Sequence, residues 1–487
     1  MMSAGSSERV PGTKEDGLPV VMAPVREGGS AVSGTWLARL GLVLRRHDRA
    51  VQKLQWGMTV CYAALVAVPA LLPLPGADTP LCDDFTRYAR FILWGIWWPL
   101  VILSVMALGR SWCGLFCPEG ALSEWVSAHG AGRGIPRWMK WGGWPFVAFL
   151  GTTVFGQLTR IYRYPEPTFL ILGGSTAAAM AVGLAYGRGK RVWCRHLCPV
   201  SGVFALLAKV APVHFRTDRD AWDSAPAGHR TSRAHAVNCA PLISIRRLES
   251  ASACHMCGRC AGERGAVALR WRPPASEIFR LRPGDTLPGA RETGRWPARL
   301  LVFGMLGVAL GAFQWSVSPW FADATRGVAG WLTTQGVMWP LQDPGHWWLL
   351  ADYPRTGDVF SWLDGAMVIA YIGVEALVIG GWVIAWMRLA EAATGIVRER
   401  FVEVLIPFAG VSVFVGLSFL TTSGLAGDRV PLPWADAMRM LLLAAAAIWS
   451  AVLARRLAPR GRGVAAAATL IAAALPFAAW TVQCYLW

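Results

Sequence analysis

The sequence is poor in charged residues and lacks the common nucleotide- and haem-binding motifs. Only 16% of its 487 residues are charged, and 54% are hydrophobic, which excludes disorder for most of the chain. There is no C-x-x-C-H motif, no P-loop and no G-x-G-x-x-G after a strand. All eight His lie outside the long apolar runs, so two His cannot hold a b-type haem within them. We therefore expect neither haem nor NAD.

Basic residues strongly outnumber acidic ones among the few charged residues, and the net charge is +17. Such a chain either binds nucleic acid or spans a membrane with its positive charge on one side. No nucleic-acid-binding motif accompanies the charge, so nucleic acid is not an expected partner. Nine apolar runs are long enough to cross a lipid bilayer. They lie at about 54–74, 89–109, 144–160, 167–187, 298–318, 365–387, 402–422, 436–454 and 464–486.

These runs predict an all-α polytopic membrane protein with about nine transmembrane helices. Cytoplasmic loops of membrane proteins are enriched in Lys and Arg. With the N-terminus inside, 39 of the 47 basic residues lie on the inner side, and the outer segments hold eight basic and eleven acidic residues. We therefore predict a bacterial inner-membrane protein with a cytoplasmic N-terminus and a periplasmic C-terminus.

An internal repeat places four cysteines on one side of the membrane. Arg110-Ser-Trp-Cys113-Gly-Leu-Phe-Cys117-Pro and Arg191-Val-Trp-Cys194-Arg-His-Leu-Cys198-Pro lie 81 residues apart, and each follows a pair of apolar runs. Two spans return the chain to the same side, so both motifs are expected at the cytoplasmic face. C-x3-C-P is the end of the bacterial ferredoxin motif, so the four thiols are predicted to hold one [4Fe–4S] cluster. Zinc and copper are the alternatives.

A polar stretch after the fourth apolar run carries a second set of cysteines. Cys254-His-Met-Cys257-Gly-Arg-Cys260 matches the front of a ferredoxin motif, but Arg264 stands where its fourth Cys is expected. Cys239 is the predicted fourth ligand of a second [4Fe–4S] cluster. His255 as a substitute, an open iron and a three-iron cluster remain alternatives. The excess of Arg in this stretch is typical of a solvated cytoplasmic face, or it docks an acidic soluble electron carrier.

Four domains follow from this pattern. They are a disordered basic cytoplasmic tail (1–53), a duplicated four-helix membrane unit (54–212), a cytoplasmic iron–sulfur domain (213–297) and a five-helix membrane domain (298–487) with a Trp-rich periplasmic segment (319–364). The Trp cluster that begins at Trp315 is expected to form interfacial helices, with a partner-binding surface as the alternative.

Single residues in the apolar runs carry further expectations. Glu375 lies midway along the sixth run, where a carboxyl group is costly. It is a candidate for a proton relay or a quinone contact. The alternative is a protonated Glu that is simply hydrogen-bonded to a neighbouring helix. Cys82 and Cys484 are predicted on the outer side, where a disulfide is allowed. Cys61 is predicted to be a small buried hydrophobic residue.

The paired W-C-x3-C-P hairpins, followed by the Cys254/Cys257/Cys260 triple, resemble the NapH/NosR/CcoG group of membrane-bound 4Fe-4S polyferredoxins. The resemblance covers roughly 54–265, and this chain has one incomplete ferredoxin repeat where typical members have complete ones. It implies electron transfer between a quinone or cytoplasmic carrier and a periplasmic metalloprotein or respiratory partner. The arrangement is most similar to the FtrD-like component of ferrous-iron uptake systems, which implies a permease partner.

We therefore expect an electron-transfer component rather than a stand-alone enzyme. A copper reductase of oxidase assembly is one alternative. The other is a permease whose cysteines are regulatory metal sensors, although Glu375 is its sole polar group of the expected kind.

Overall fold

The computed structural model describes residues 35–76, 79–224, 237–279 and 290–487. The fold is 70% helical with almost no sheet, which confirms the predicted all-α membrane architecture. The helices are α1 Trp36–Arg46, α2 Asp48–Leu71, α3 Phe85–Leu108, α4 Pro118–Ser127, α5 Trp144–Leu158, α6 Pro165–Tyr186, α7 Val192–His196, α8 Ser201–Val210, α9 Arg219–Ser224, α10 Ser276–Phe279, α11 Gly294–Gln314, α12 Pro319–Thr334, α13 Trp362–Thr394, α14 Arg398–Glu403, α15 Ile406–Gly427, α16 Ala435–Leu457 and α17 Arg462–Tyr485.

Eight of these helices, within the described ranges, are long and apolar enough to cross a membrane. They are α2, α3, α6, α11, α13, α15, α16 and α17. Local signals set their ends. Asp84 caps α3 by accepting a hydrogen bond from the Arg87 N–H at 2.8 Å, and Ser361 and Asp364 form a capping box at the start of α13. The same helix ends at Gly395, whose φ of 72° is left-handed.

The run predicted as a third span, 144–160, forms the shorter helix α5. Its 15 residues reach about 22 Å, whereas a bilayer core is about 30 Å thick. The helix ends because Arg160 takes a left-handed φ of 58° and the Ile161 N–H turns back to the Gly156 carbonyl at 2.8 Å. Ile161 and Tyr164 are buried, and the Tyr164 ring stacks on Tyr353 at 3.5 Å. Within the described ranges, the prediction of about nine spans is therefore corrected to eight, and the 144–160 run forms a shorter apolar helix.

The N-terminal region also differs from expectation, because residues predicted as part of a disordered tail form α1 and the start of α2. Helix α1 packs on the β1–β2 hairpin described below, and Gly41 allows this because a Cβ there would lie 3.1 Å from the Phe215 ring. Residues 1–34 lie outside the described residues. The face of α1 that packs consists of Leu37, Ala38 and Gly41, which are buried at helical spacing, whereas Leu40 and Val43 are exposed.

The polar stretch 213–297 folds around a two-stranded antiparallel sheet. Strand β1 (Val213–Thr217) pairs with β2 (Val267–Trp271), with Phe215 opposite Leu269. Residues 225–236 and 280–289 of this stretch lie outside the described residues. We call the side of the membrane that carries this hairpin the β1–β2 side.

The opposite side carries the Trp-rich segment with α12 and the short strands β3 (Asp352–Tyr353) and β4 (Asp358–Val359). Most of its indoles are exposed, including Trp320, Trp331 and Trp339. Trp315 is the exception to the interfacial prediction. It is buried, and its indole N–H donates to Gln157 Oε1 at 2.8 Å.

Two short helices, α4 and α8, fold back between the spans. Helix α4 packs along α6, where Gly183 permits contact because a Cβ there would lie 2.7 Å from the Ser123 carbonyl oxygen. Helix α8 packs among α3, α5, α11 and α15, and Leu207 belongs to the main hydrophobic core. Each of these helices directly follows one C-x3-C-P motif, so their packing determines where the motifs lie.

Candidate functional site

Each C-x3-C-P motif is a tight turn that leads into one of these short helices. In the first copy, Trp112–Phe116 forms a π-turn and Cys117 caps α4, with Pro118 at the first helical position, where a missing N–H costs nothing. The Gly120 N–H donates to Cys117 Sγ at 3.4 Å. In the second copy, α7 contains Cys194, and Cys198 precedes Pro199 and α8. Both helices thus begin beside a cysteine, with their positive ends towards it.

The first motif lies alongside the spans and not beyond their ends, where the sequence placed it. The Glu119 carboxylate, two residues after Cys117, accepts a hydrogen bond from Ser175 Oγ within α6. Ser175 is about 16 Å along the helix axis from the last residue of α6, Tyr186. The ring of Trp112 likewise contacts that of Trp97, midway along α3, with centroids 5.2 Å apart. Hydropathy does not predict this re-entry.

The structure brings the four cysteines of the repeat together beside one cavity of about 240 Å³. We call Cys113, Cys117, Cys194 and Cys198 the first set. Burial raises the pKa of Cys117 well above its ordinary value, and the neighbouring Cys194 and Cys113 raise it further. The pKa of Cys198 rises for the same reasons, with Glu119 as an added cause. Four buried thiolates side by side require a compensating cation, which is what the irons of a cluster supply.

The second set consists of Cys254, Cys257, Cys260 and Cys239. Burial raises the pKa of Cys254 well above its ordinary value, and Cys260, Cys257 and Cys239 all add to the shift. Burial, Cys257 and Cys239 raise the pKa of Cys260 to about 12. Cys239 therefore lies near the triple although it is distant in sequence, and its role as the fourth ligand stays a prediction.

The loop of the triple wraps tightly, with left-handed φ values of 57° at Met256 and 77° at Gly258. The Met256 N–H donates to Cys254 Sγ at 3.3 Å. The His255 side chain is buried, and its Nδ1 has no hydrogen-bond partner among the described residues. Cys239 stays the predicted fourth ligand, with His255 as the alternative.

The two sets are direct neighbours through Gly114 of the first motif. A Cβ on Gly114 would collide with the His255 carbonyl oxygen and lie 2.8 Å from the Cys257 backbone nitrogen. On its other side, the Gly114 carbonyl accepts a hydrogen bond from Gln55 Nε2 at 2.6 Å. The backbone that joins Cys113 to Cys117 therefore touches the backbone that joins Cys254 to Cys257.

The cavity extends well beyond the first set, into the membrane region. Its walls are mainly apolar, with many aromatic rings, and come from the two motifs, from α2, α3, α5, α6, α8, α11 and α15, and from the loop after α5. They include Tyr62, Trp94, Trp97, Trp98, Trp112, Phe149, Tyr162 and Phe313. Trp94 packs edge-on against Tyr162 at 4.8 Å. Glu119 is the one carboxylate among the lining residues that the structure describes, and it also accepts a hydrogen bond from Trp193 Nε1 at 3.3 Å. A planar apolar molecule fits such walls.

The donor sets fit iron–sulfur clusters. Each set holds four thiols, and backbone N–H groups donate to one sulfur of each. In the described ranges, no group of three or more His, Cys, Asp or Glu side chains converges on a single metal ion. The cubane would be held by Cys113, Cys117, Cys194 and Cys198 in the first set, and by Cys239, Cys254, Cys257 and Cys260 in the second.

Comparison with known families supports this chemistry. The family described as "4Fe-4S binding domain" matches the chain twice, at residues 91–136 and 171–217. Each match contains one C-x3-C-P motif, which confirms the duplication read from the sequence, and the second set lies outside both matched segments. No curated protein and no solved structure matches the chain.

The other predicted residues lie apart from the two sets. Glu375 packs against Gly311, where a Cβ would lie 3.1 Å from the Glu375 Cβ, and it does not line the cavity. Cys61 is exposed on its span, so the prediction of a buried residue was wrong. Cys82 and Cys484 are free thiols.

Sequence reasoning missed the polar residues around the sets. Glu119 was overlooked because the repeated sequence ends at the C-P pair. The equivalent position in the second copy is Val200, so the repeat gives Glu119 no partner. Arg110 and Arg191 stand at matched repeat positions, and that equivalence could have been read from the sequence.

Proposed function

We propose that the protein is a membrane-bound electron-transfer protein with two [4Fe–4S] clusters, one in each cysteine set. The observation that carries this proposal is the pairing of two four-thiol sets in contact through Gly114. When bound, the clusters would supply two neighbouring one-electron centres. The residues around them exclude water, since Cys113, Cys194, Cys198 and Cys254 are all buried.

The aromatic cavity favours a quinone as the partner within the membrane. Its walls are apolar, and it borders the first set. A quinone headgroup bound in it would therefore lie next to Cys117. Oxidation of a quinol releases two electrons and two protons. Glu119 is placed to take a proton, and Tyr62, whose hydroxyl lies 3.1 Å from the Leu172 carbonyl and 3.2 Å from Thr176 Oγ1, is placed to orient a quinone oxygen.

The remaining partners follow from charge and from the resemblance to membrane-bound polyferredoxins. The second set lies on the β1–β2 side, in a stretch rich in Arg that suits an acidic soluble electron donor or acceptor. On the opposite side, the exposed indoles of the Trp-rich segment suit a periplasmic metalloprotein or a permease. Ferrous-iron uptake, as in the FtrD-like component, is the specific role that we propose.

The test is iron and acid-labile sulfide analysis of protein purified without oxygen. We expect about eight irons and as many sulfides per chain, reducible in part by a quinol. The matched controls are Cys61→Ser and Cys484→Ser, which remove thiols outside both sets and should leave the iron content unchanged. Bound zinc without acid-labile sulfide would contradict the proposal.

A further inference from the structure

Two buried arginines stand at equivalent positions of the repeat, and the side chain of each one hydrogen-bonds to residues of the other copy. Arg110, in the first copy, donates to Ser201 Oγ at 2.9 Å, and Ser201 Oγ donates to the Cys194 carbonyl at 2.7 Å. Arg191, in the second copy, donates to the carbonyl oxygen of Cys113. Each arginine therefore holds the backbone of a cysteine that belongs to the other copy.

The same two side chains extend towards the second set. Arg110 Nη1 donates to the Ser252 carbonyl at 3.1 Å, two residues before Cys254. Arg191 pairs with Glu124 of α4 at 2.7 Å, and Glu124 also binds Arg259, which lies between Cys257 and Cys260. The two arginines thus occupy the space between the cysteine sets.

Protein carboxylates balance their charge only in part. Arg110 and Arg191 are 4% and 2% exposed. Among the described residues, Arg110 has no carboxylate partner and its Nε has no hydrogen-bond partner, while Arg191 shares Glu124 with a second arginine. A buried cation without a counter-charge is strongly unfavourable. The position therefore calls for an anion.

The cysteine sets are the anions within reach. Arg191 donates to the Cys113 carbonyl in the first set, and its partner Glu124 pairs with Arg259 between Cys257 and Cys260 of the second set. Arg110 donates to Ser201 Oγ, which donates to the Cys194 carbonyl. A cluster held by four thiolates is net negative and becomes more so when it is reduced, so a nearby fixed cation favours reduction.

We propose that Arg110 and Arg191 act as positioning residues that serve as shared counter-charges of the two cluster sites and raise both reduction potentials. This inference rests on the proposed function, since it requires clusters in both sets. Arg191 hydrogen-bonds to the Cys113 backbone and, through Glu124, is linked to Arg259 of the second set, so it should affect both clusters. Arg110 hydrogen-bonds through Ser201 to the Cys194 backbone, and it should affect the first cluster more.

The test is an EPR-monitored redox titration of the purified variants. In Arg191→Gln, the ratio of reduced to oxidised cluster at a fixed ambient potential should fall about tenfold at both sites, the effect of one charge at roughly 10 Å in an effective dielectric of about 20. Arg191→Lys keeps the charge and should restore most of the ratio. Arg247→Gln, on an exposed side chain of the same domain, is the matched control and should change nothing.

Glu124→Gln provides a change of opposite sign. It removes the carboxylate that partly neutralises Arg191, so the reduced fraction should rise at both sites. Unchanged potentials in Arg191→Gln with full iron content would overturn the proposal, and so would a fall in Glu124→Gln. If Arg191→Gln loses iron, the Lys and Glu124 variants decide the question. Absence of acid-labile sulfide from the unmodified protein would instead refute the proposed function.

Discussion

Gly114 offers a direct test of the contact between the two cysteine sets. Replacing it with Ala places a methyl group against the His255 carbonyl oxygen and 2.8 Å from the Cys257 nitrogen. Both obstacles are backbone atoms, so no side chain can rotate away. Overpacking of this kind costs 1–3 kcal/mol, and we expect about 3 kcal/mol for Gly114→Ala because the obstacle is rigid.

The assay is chemical unfolding of the detergent-purified protein, together with its iron content. Gly57→Ala is the matched control, because a Cβ at Gly57 meets nothing within 4 Å. It lies within α2, where replacing Gly by Ala gains roughly 0.5–1 kcal/mol. Gly114→Ala should be destabilised and should lose iron from the second set first. Stability and iron content equal to those of the unmodified protein would refute the reasoning.

Three further predictions concern single contacts. Cys239→Ser should remove about half of the iron and leave the first cluster's EPR signal, since Cys239 lies with the triple; unchanged iron content would contradict its ligand role. Glu119→Gln should slow reduction by a quinol by about 100-fold in stopped-flow absorbance, with full iron content, because the proton acceptor is lost; an unchanged rate would exclude Glu119 from that step. Lys209→Ala leaves Glu403, its partner at 2.5 Å, buried without that cation, and should cost about 3 kcal/mol in chemical unfolding. The double variant with Glu403→Ala should be less destabilised, and a double variant as unstable as the sum of both single ones would contradict this.

The sequence was most informative where one physical requirement governs a long segment. Eight spans lie within a few residues of their predicted positions, because burial in a bilayer requires a continuous apolar run. The duplicated motif correctly predicted that Cys113 and Cys198, far apart along the chain, would lie near each other. Cys239 could be paired with the triple by elimination alone, and the structure groups it there.

The predictions failed where packing between distant segments decides the outcome. Helix α5 ends early because Arg160 adopts a left-handed φ, and the following loop packs through Tyr164 against Tyr353. Hydropathy does not predict this contact. The re-entry of α4 depends on the fit of Ser123 against Gly183. The roles of Glu119 and the two arginines arise only once the two copies meet, and neither is visible in the composition of one copy.

The central claim is that two [4Fe–4S] clusters lie side by side in the two cysteine sets. Low-temperature EPR of the fully reduced protein tests it most directly, with Cys254→Ser as the comparison. We predict a spectrum broadened by spin–spin interaction in the unmodified protein. In the variant, we predict the narrow signal of one isolated cluster with about half of the iron. Two non-interacting signals, or loss of both clusters in Cys254→Ser, would contradict it.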